Sequence, residues 1–315
     1  MKHFISIQDA PDLDALIAKA MLYKENPNID REKGKYKTLG LLFFNSSLRT
    51  RLSTEIAANN LGMQVIGFSN QQAWNFEFME GAVMDQQNAE HIKEAAGVLS
   101  RYVDILGVRS FPELVDRAWD YSEPVLSGFQ KNLTIPLVNL ESATLHPLQS
   151  LADLMTIREL QQTKKPKVVL SWAPHPRALP QSVPNSFASC MLAAGMDLTI
   201  THPEGLELSS DFTEGATITH NQQEAFEGAD FIYAKNWSSF REYGKGTSLY
   251  SDWIIDGKKM KATNDAHFMH CLPVRRNVVV ADEVLDSPKS VVLQQAQNRI
   301  FTAQAVLASL LDHGK

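Results

Sequence analysis

A nearly unbroken apolar run of strand length, Thr38 to Phe44, constrains the fold of this chain more than any other segment. Such a run is typical of a strand that is covered on both faces of a parallel sheet. Leu52, Ile56 and Leu61 then recur near helical spacing, and the apolar run 63–68 indicates a second strand. The order strand, helix, strand predicts a β-α-β unit.

The same alternation of strands and helices continues along the chain. Runs 103–108 and 136–140 indicate further strands of the first half, and runs 167–172, 197–201 and 231–234 indicate strands of a second half. A length of 315 residues favours two domains, each able to bury its own core. We therefore predict an α/β protein of two doubly wound parallel-sheet domains with a cleft between them.

Composition limits the functions that the chain can serve. Hydrophobic residues make up 44% and charged residues 21%, which is a normal globular balance, and the net charge of −6 argues against binding nucleic acid. Cys190 and Cys271 are too few for a disulfide framework. The N-terminus has no signal-peptide pattern, and no apolar run approaches the roughly 20 residues that span a bilayer. We expect a cytoplasmic protein without membrane contact.

The turn between the first strand and its helix carries groups that bind anions. Backbone N–H groups at about 47–50 lack intrahelical partners, and two serines, Arg49 and Arg51 lie in the same turn. Arg109 follows the strand run 103–108, and ligands of open parallel sheets bind beyond the carboxyl ends of strands. These residues predict a phosphate site, although the turn alone also fits an ordinary surface turn with an N-cap serine.

The segment 70–88 has no clear helical or strand period. It is polar but contains Trp74, Phe76 and Phe78. Loops of this length inside a compact domain are usually functional, so we expect an irregular lid.

Three motifs, in order along nearly the whole chain, identify a family. Ser47 to Arg51 has the pattern S-x-R-T-R, His146 to Gln149 the pattern H-P-x-Q, and His270 to Pro273 the pattern H-C-L-P. They resemble the signatures of the transcarbamylases, the family of ornithine and aspartate carbamoyltransferases. The S-M-G motif of enzymes that use free ornithine is missing, whereas the proline-rich loop 174–184 and the segment 274–276 resemble the N-acylornithine transcarbamylases.

The resemblance implies a set of carbamoyl phosphate ligands. Thr50, Arg109 and His146 would stabilise the carbonyl oxygen that gains negative charge. The full set is Ser47, Leu48, Arg49, Thr50, Trp74, Arg109, His146, Pro147, Leu148, Gln149, Cys271, Leu272 and Arg299, of which Arg49, Thr50, Arg109, His146, Gln149 and Cys271 are implied to be catalytic. Leu148 departs from the cysteine of the family's H-P-C-Q, at a position that would contribute mainly backbone.

The resemblance also implies an N-acylated ornithine as acceptor. Its proposed ligands are Glu141, His175, Lys235, Arg275 and Ala89, and the backbone carbonyls of Cys271 and Leu272 would place its δ-amine. Acetylornithine enzymes typically carry an acidic residue at the position of Ala89, where a carboxylate would crowd and repel a succinyl arm. We therefore expect N-succinyl-L-ornithine as the acceptor, with N-acetyl-L-ornithine and then free ornithine as the alternatives.

Domain limits and assembly follow from the same resemblance. Residues 1–145, with the helix 300–315 packed back on them, would bind carbamoyl phosphate, and residues 146–299 would bind the acylornithine. The second domain would contain a trefoil knot, which ordinary topology rules do not predict. A homotrimer with shared active sites is implied, with Trp74 closing over a neighbouring subunit's site, and no metal or organic cofactor is needed.

Two alternatives from other classes stay open. A binding protein for a sugar phosphate or amino-acid phosphate would share the anion turn without needing His146 and Gln149. A zinc hydrolase would use His267, His270 and Cys271, although a fourth ligand is missing.

Overall fold

The structure is a computed structural model that describes residues 1–69 and 75–313. The chain forms two compact units. The first contains residues 1–148 and 299–315, and the second contains residues 149–298.

The first unit is built on a four-stranded parallel sheet in the order β2-β1-β5-β6. The strands of this sheet are β1 (Thr38–Phe43), β2 (Gln64–Ser69), β5 (Ile105–Arg109) and β6 (Leu137–Glu141). Two short strands, β3 (Phe76–Glu77) and β4 (Glu90–His91), form a separate two-stranded sheet. The helices of the first unit are α1 (Leu13–Glu25), α2 (Arg49–Asn60), α3 (Ile92–Tyr102), α4 (Arg117–Tyr121) and α5 (Pro124–Asn132), after a 3-10 turn at Ile7–Asp9.

The strand β1 lies in the interior of this sheet, and Leu39, Leu41 and Leu42 are fully buried. The strand order reverses between β1 and β5, because the chain passes from β1 to β2 on one side and later returns to the other side. Such a switch point opens a crevice at the carboxyl ends of the two strands. The sheet therefore brings the segments that follow Phe43 and Arg109 together.

The helix α2 has two different faces. Small residues such as Thr54, Ala57 and Ala58 are buried, whereas Leu52 and Ile56, which predict the helix, are 48% and 42% exposed. Small side chains let the buried face pack closely, and they leave the larger apolar side chains on the outside.

Within segment 75–88, which otherwise consists of turns, bends and irregular backbone, two phenylalanines are anchored to the unit's core. Phe76 and Phe78 pack edge-on against each other and against Phe129, Phe44 adjoins both rings, and β3 pairs with β4 in parallel. The prediction of an irregular loop is wrong for these two phenylalanines, because they pack their rings against the unit's core. Trp74 lies outside the described residues.

The second unit has a five-stranded parallel sheet in the order β11-β10-β7-β8-β9. Its strands are β7 (Lys167–Trp172), β8 (Asp197–Thr201), β9 (Thr217–Thr219), β10 (Phe231–Lys235) and β11 (His267–Met269). Its helices are α6 (Pro147–Leu160), α7 (Ser182–Ala193), α8 (Ser210–Thr213), α9 (Gln222–Phe226), α10 (Gly257–Met260) and α11 (Asp282–Leu285), with a 3-10 turn at Ser251–Trp253. The helix α12 (Val292–His313) begins in the second unit and belongs to the first unit from Arg299 onward, and the first two residues of α6 also belong to the first unit.

The switch point of this second sheet lies between β7 and β10. His175 follows β7, and Lys235 is the last residue of β10. The predicted α/β class with two parallel sheets is confirmed, and β7 and β8 have the predicted bounds. No helix in the described ranges is long and apolar enough to cross a membrane.

Candidate active site

Five side chains of the first unit form a buried polar cluster at the carboxyl ends of its strands. Arg109 Nη1 donates to Glu141 Oε2 at 2.6 Å and to Thr50 Oγ1 at 3.1 Å. Arg299 Nη2 donates to the same Thr50 oxygen at 2.8 Å, and His146 Nε2 lies 3.3 Å from Glu141 Oε2. We call these residues the arginine cluster; each is at most 7% exposed.

The arginine cluster has more buried positive charge than negative charge. Two guanidiniums face one carboxylate, and Arg109 Nε has no hydrogen-bond acceptor in the part of the chain that the structure describes. Because Thr50 Oγ1 accepts from both arginines, its own proton can be donated to another group. Buried charges need compensation, so this arrangement suits an anionic ligand.

Arg49 and Arg51, in the first turn of α2, have different surroundings. Ser47 Oγ accepts a hydrogen bond from the Thr50 N–H at 3.3 Å. Arg51 Nε is paired with Glu55 Oε1 at 2.8 Å, whereas Arg49 is half-buried and has no ion-pair partner among the described residues. An i,i+4 ion pair therefore engages the Arg51 guanidinium on the helix surface, and its part in the anion turn stays a prediction.

Sequence reasoning missed the residue that holds the segment between Glu141 and His146. Glu123, in the left-handed region at φ 50°, accepts hydrogen bonds from Thr144 N and Oγ1, from Ser142 Oγ and from Ala143 N. Burial raises the pKa of this carboxyl, although the donated hydrogen bonds oppose the shift. No local pattern signals this contact, because the partners lie about 20 residues apart in sequence.

In the second unit, two predicted acceptor ligands contact each other. Arg275 Nε donates to His175 Nε2 at 3.1 Å, and Nδ1 of His175 bonds to the backbone of Arg177. Partial burial, together with the cations Lys235, Arg275 and Arg177, lowers the pKa of His175. The imidazole is therefore neutral at pH 7, as acceptance at Nε2 requires.

A cavity of about 910 Å³ adjoins this pair. His175, Arg275 and Leu249 line it, with the segment 246–248 and Val274. Arg276 also borders the cavity, but its guanidinium is bound to Asp282 and Asp286. Of the two adjacent arginines, Arg275 is therefore the one whose charge is not already neutralised by carboxylates of the described residues.

The H-C-L-P segment is fixed from its buried side. The His270 N–H donates to Gln295 Oε1 and the Leu272 N–H donates to His270 Nδ1, both at 2.9 Å. Cys271 is 9% exposed, and the Leu272–Pro273 peptide is cis. Because His270 Nδ1 already accepts a backbone hydrogen bond, it does not serve as a metal ligand in this arrangement; no group of three ligands for a metal ion occurs among the described residues.

The remaining predicted residues are scattered more widely. Pro147 begins α6, Leu148 is buried, and Gln149 is buried in the second unit, where its Nε2 donates to Asp153. Leu48 is 70% exposed, and Ala89 is also exposed, with its N–H bonded to Asn75 O.

Fold and site together define a class: an α/β protein of two parallel-sheet units, with a buried arginine cluster suited to an anion at one switch point. Two family patterns match this chain, "Aspartate/ornithine carbamoyltransferase, carbamoyl-P binding domain" over residues 2–159 and "Aspartate/ornithine carbamoyltransferase, Asp/Orn binding domain" over residues 180–310. The chain belongs to the aspartate/ornithine carbamoyltransferase family, as its three motifs predict.

Relatives that match over nearly the full length include N-succinylornithine and N-acetylornithine carbamoyltransferases. The chain is 49% identical to N-succinylornithine carbamoyltransferase of Bacteroides fragilis, over 99% of both chains. It is 37% identical to N-acetylornithine carbamoyltransferase of Xanthomonas axonopodis pv. citri, over 98% of this chain and 96% of that one. A solved structure of acetylornithine transcarbamylase complexed with acetylcitrulline matches with a TM-score of 0.92 and 37% identity, over 98% of this chain and 99% of that chain.

Proposed function

We propose that this protein transfers the carbamoyl group of carbamoyl phosphate to the δ-amine of N-succinyl-L-ornithine, giving N-succinyl-L-citrulline and phosphate. Full-length identity of 49% to N-succinylornithine carbamoyltransferases supports this acceptor. The buried arginine cluster carries the donor half of the proposal, because it presents charged donors to a dianion. In such enzymes the product enters arginine biosynthesis.

The geometry of the first unit supports the proposed donor site. Arg49 and the N-terminus of α2, with Ser47, hold the phosphate. Arg109, His146 and the Thr50 hydroxyl stabilise the carbonyl oxygen as it gains negative charge. As the new C–N bond forms, the C–O bond to phosphate breaks, and a basic oxygen of the departing phosphate can take the proton that the amine loses.

The acceptor amine must arrive uncharged, because only a lone pair can attack the carbamoyl carbon. An alkyl amine of this kind has an ordinary pKa near 10.4, so only a small fraction is uncharged at neutral pH. In this proposal the backbone carbonyls of Cys271 and Leu272 accept its N–H groups and thereby orient the amine towards the carbamoyl carbon. Arg275, fixed by His175, and Lys235 then bind carboxylates of the acceptor. Glu141 is already engaged by Arg109 and His146, and its contact with the acceptor stays a prediction.

In this proposal, Ala89 determines which acyl group the enzyme accepts. Its methyl group offers neither the bulk nor the charge that would exclude a succinyl arm. A point variant of N-acetyl-L-ornithine transcarbamylase, 37% identical to this chain with a TM-score of 0.92, has been solved with carbamyl phosphate and N-succinyl-L-norvaline.

The deciding experiment compares acceptors side by side. Purified protein is assayed for citrulline-type product with carbamoyl phosphate and N-succinyl-L-ornithine, N-acetyl-L-ornithine or ornithine. We expect the highest kcat/KM for the succinyl compound, and the variant Ala89→Glu to shift the preference towards the acetyl compound. Equal or better turnover of acetylornithine by the parent would overturn the acyl assignment, whereas no turnover of any acceptor would overturn the enzyme assignment.

A homotrimer is also proposed. Leu48, Leu52 and Ile56 form an exposed apolar stripe at the start and on the outer face of α2, and Ile66 on the edge strand β2 is 52% exposed. Exposed apolar patches of this kind mark sites of protein association. The trefoil knot, the cytoplasmic location and the contribution of Trp74 from a neighbouring subunit stay predictions.

A further inference from the structure

A carboxylate that no motif singles out lies buried inside the second unit. Asp153, on α6, has no solvent exposure. Its Oδ1 accepts a hydrogen bond from Gln149 Nε2 at 2.8 Å and another from Gln295 Nε2 at 2.9 Å. Burying a carboxylate is costly, so a site that keeps one usually gains something from the charge.

The first consequence concerns Gln149. The two ends of a carboxamide are nearly isosteric, so packing alone does not decide which end faces a substrate. An ionised carboxylate only accepts hydrogen bonds. Asp153 therefore binds the NH₂ end of Gln149, which directs the accepting Oε1 end away from Asp153. A carbamoyl group offers an NH₂ donor, which needs an acceptor of this kind.

The second consequence concerns the H-C-L-P segment. Gln295, on α12, gives its NH₂ end to Asp153, and its Oε1 accepts the His270 N–H. His270 in turn accepts the Leu272 N–H. The orientation of one carboxamide thus sets the position of the backbone whose carbonyls are proposed to receive the amine.

Tyr233 is packed beside the same carboxylate. Burial is the main cause that raises its pKa, followed by the charge of Asp153 and the proximity of Cys271. Its hydroxyl therefore keeps its proton at neutral pH. The Tyr233 hydroxyl has no hydrogen-bond partner among the described residues, and the donors to Asp153 Oδ1 are the two carboxamides.

We propose that Asp153 is a positioning residue for carbamoyl transfer: it turns the acceptor end of Gln149 towards the carbamoyl NH₂ and, through Gln295, fixes the backbone at 270–272. The proposal rests on the proposed function of Gln149 and Cys271. It assigns Asp153 no contact with either substrate.

A reciprocal exchange tests this role. Gln149→Glu keeps an acceptor for the carbamoyl group but sets two carboxylates against each other. Asp153→Asn keeps an acceptor for Gln295 but lets the new amide compete for either end of Gln149. Gln149 and Gln295 bond to the same oxygen of Asp153, so both orientations are restored only in the triple variant Gln149→Glu, Asp153→Asn, Gln295→Glu. There the amide nitrogen introduced at position 153 donates to both new carboxylates, whose other oxygens accept from the carbamoyl NH₂ and from the His270 N–H.

We expect each single variant to lose about tenfold to a hundredfold in kcat, with a smaller change in the KM for the acylornithine. The triple variant should recover at least about fivefold over the worse single variant. A single variant that fails to fold, next to a triple variant that folds and turns over, shows the same rescue. Losses that multiply, or a triple variant that is unfolded or inactive, would overturn the proposal.

Thr156→Val is the matched control, since Thr156 is equally buried on α6 but bonds to Asn298 and Ala152 O. We expect it to lower the thermal midpoint while kcat stays within about twofold. A similar loss of kcat in this control would mean that damage to α6 alone explains the effect of Asp153. Turnover by the parent with any acceptor keeps failure of this proposal separate from failure of the proposed function.

Discussion

Arg49 and Arg51 are two residues apart and carry the same charge, yet the structure gives them different surroundings. Arg51 is paired with Glu55, whereas Arg49 has no ion-pair partner in the described ranges. We expect Arg49→Ala to lower kcat/KM for carbamoyl phosphate by about tenfold to a few hundredfold, because a charge-assisted contact with phosphate is lost. Initial-rate assays at varied carbamoyl phosphate measure this loss.

Arg51→Ala is the control for that substitution. It removes an exposed ion pair, which is worth about 0 to 1 kcal/mol, so turnover should stay within about twofold of the parent. Equal losses in both variants would show that the turn as a whole, and not the Arg49 guanidinium, governs the rate.

His175 gives the acceptor site a pH dependence with a definite sign. Burial and the neighbouring cations hold its pKa below the ordinary 6.5, so the neutral form is favoured in the folded protein. Its contribution to the free energy of unfolding is complete above pH 6.5 and is lost as the pH falls through the lowered pKa. Protonation also places a cation against Arg275 and breaks their hydrogen bond.

We therefore expect the KM for the acylornithine to be insensitive to the protonation of His175 near pH 7 and to rise below the ordinary pKa of about 6.5. The proton resonance of the His175 ring, identified by its absence in His175→Asn, should titrate with a midpoint below about 6.5. A midpoint at or above this value would contradict the neutral, accepting imidazole.

At the scale of elements, the loop between β6 and α6 carries Glu141 and His146 and depends on Glu123 at the start of α5. We expect Glu123→Gln to lower the free energy of unfolding by about 1 to 3 kcal/mol, because both carboxylate oxygens accept hydrogen bonds and the NH₂ end of the amide would face a donor. Urea unfolding measures the change. Glu113→Gln, at an exposed position of the same unit, should stay within about 0.5 kcal/mol of the parent, and a matching loss there would refute a specific role for Glu123.

The helix α2 shows a second lesson at this scale. Its apolar spacing predicts a helix correctly, but Leu52 and Ile56 do not face the sheet. Apolar periodicity predicts that one face of a helix is buried, but it does not determine whether that face packs against the same chain or against another one.

At the scale of the whole molecule, the apolar stripe on α2 predicts assembly. We expect light scattering of the parent to give about three times the chain mass of 35.2 kDa. Leu52→Glu places a charge in the proposed interface and should shift the mass towards the single chain, with loss of turnover if neighbouring subunits complete the site.

Leu293→Glu is the matched control, because Leu293 is 75% exposed on α12. It should leave both mass and turnover unchanged. A parent that is already monomeric and active would contradict the trimer and the predicted role of Trp74 across a subunit boundary.

The sequence by itself determined the class of fold, the family and most of the candidate residues. Apolar runs such as 167–172 locate buried strands, because a strand covered on both faces must be apolar along its length. The motifs around Arg49, His146 and Cys271 are contiguous, so a single pass along the chain finds them.

Only the tertiary structure decided which charges are available and which are compensated. Arg49 and Arg51, or Arg275 and Arg276, look alike in sequence, and their partners Glu55, Asp282 and Asp286 become evident only when distances are known. Glu123 and Asp153 stayed hidden for a related reason: they form hydrogen bonds to residues about 20 and 142 positions away, and no local pattern encodes such contacts. Secondary structure is largely a local consequence of side-chain periodicity, whereas the state of a buried charge depends on every group that the fold brings around it.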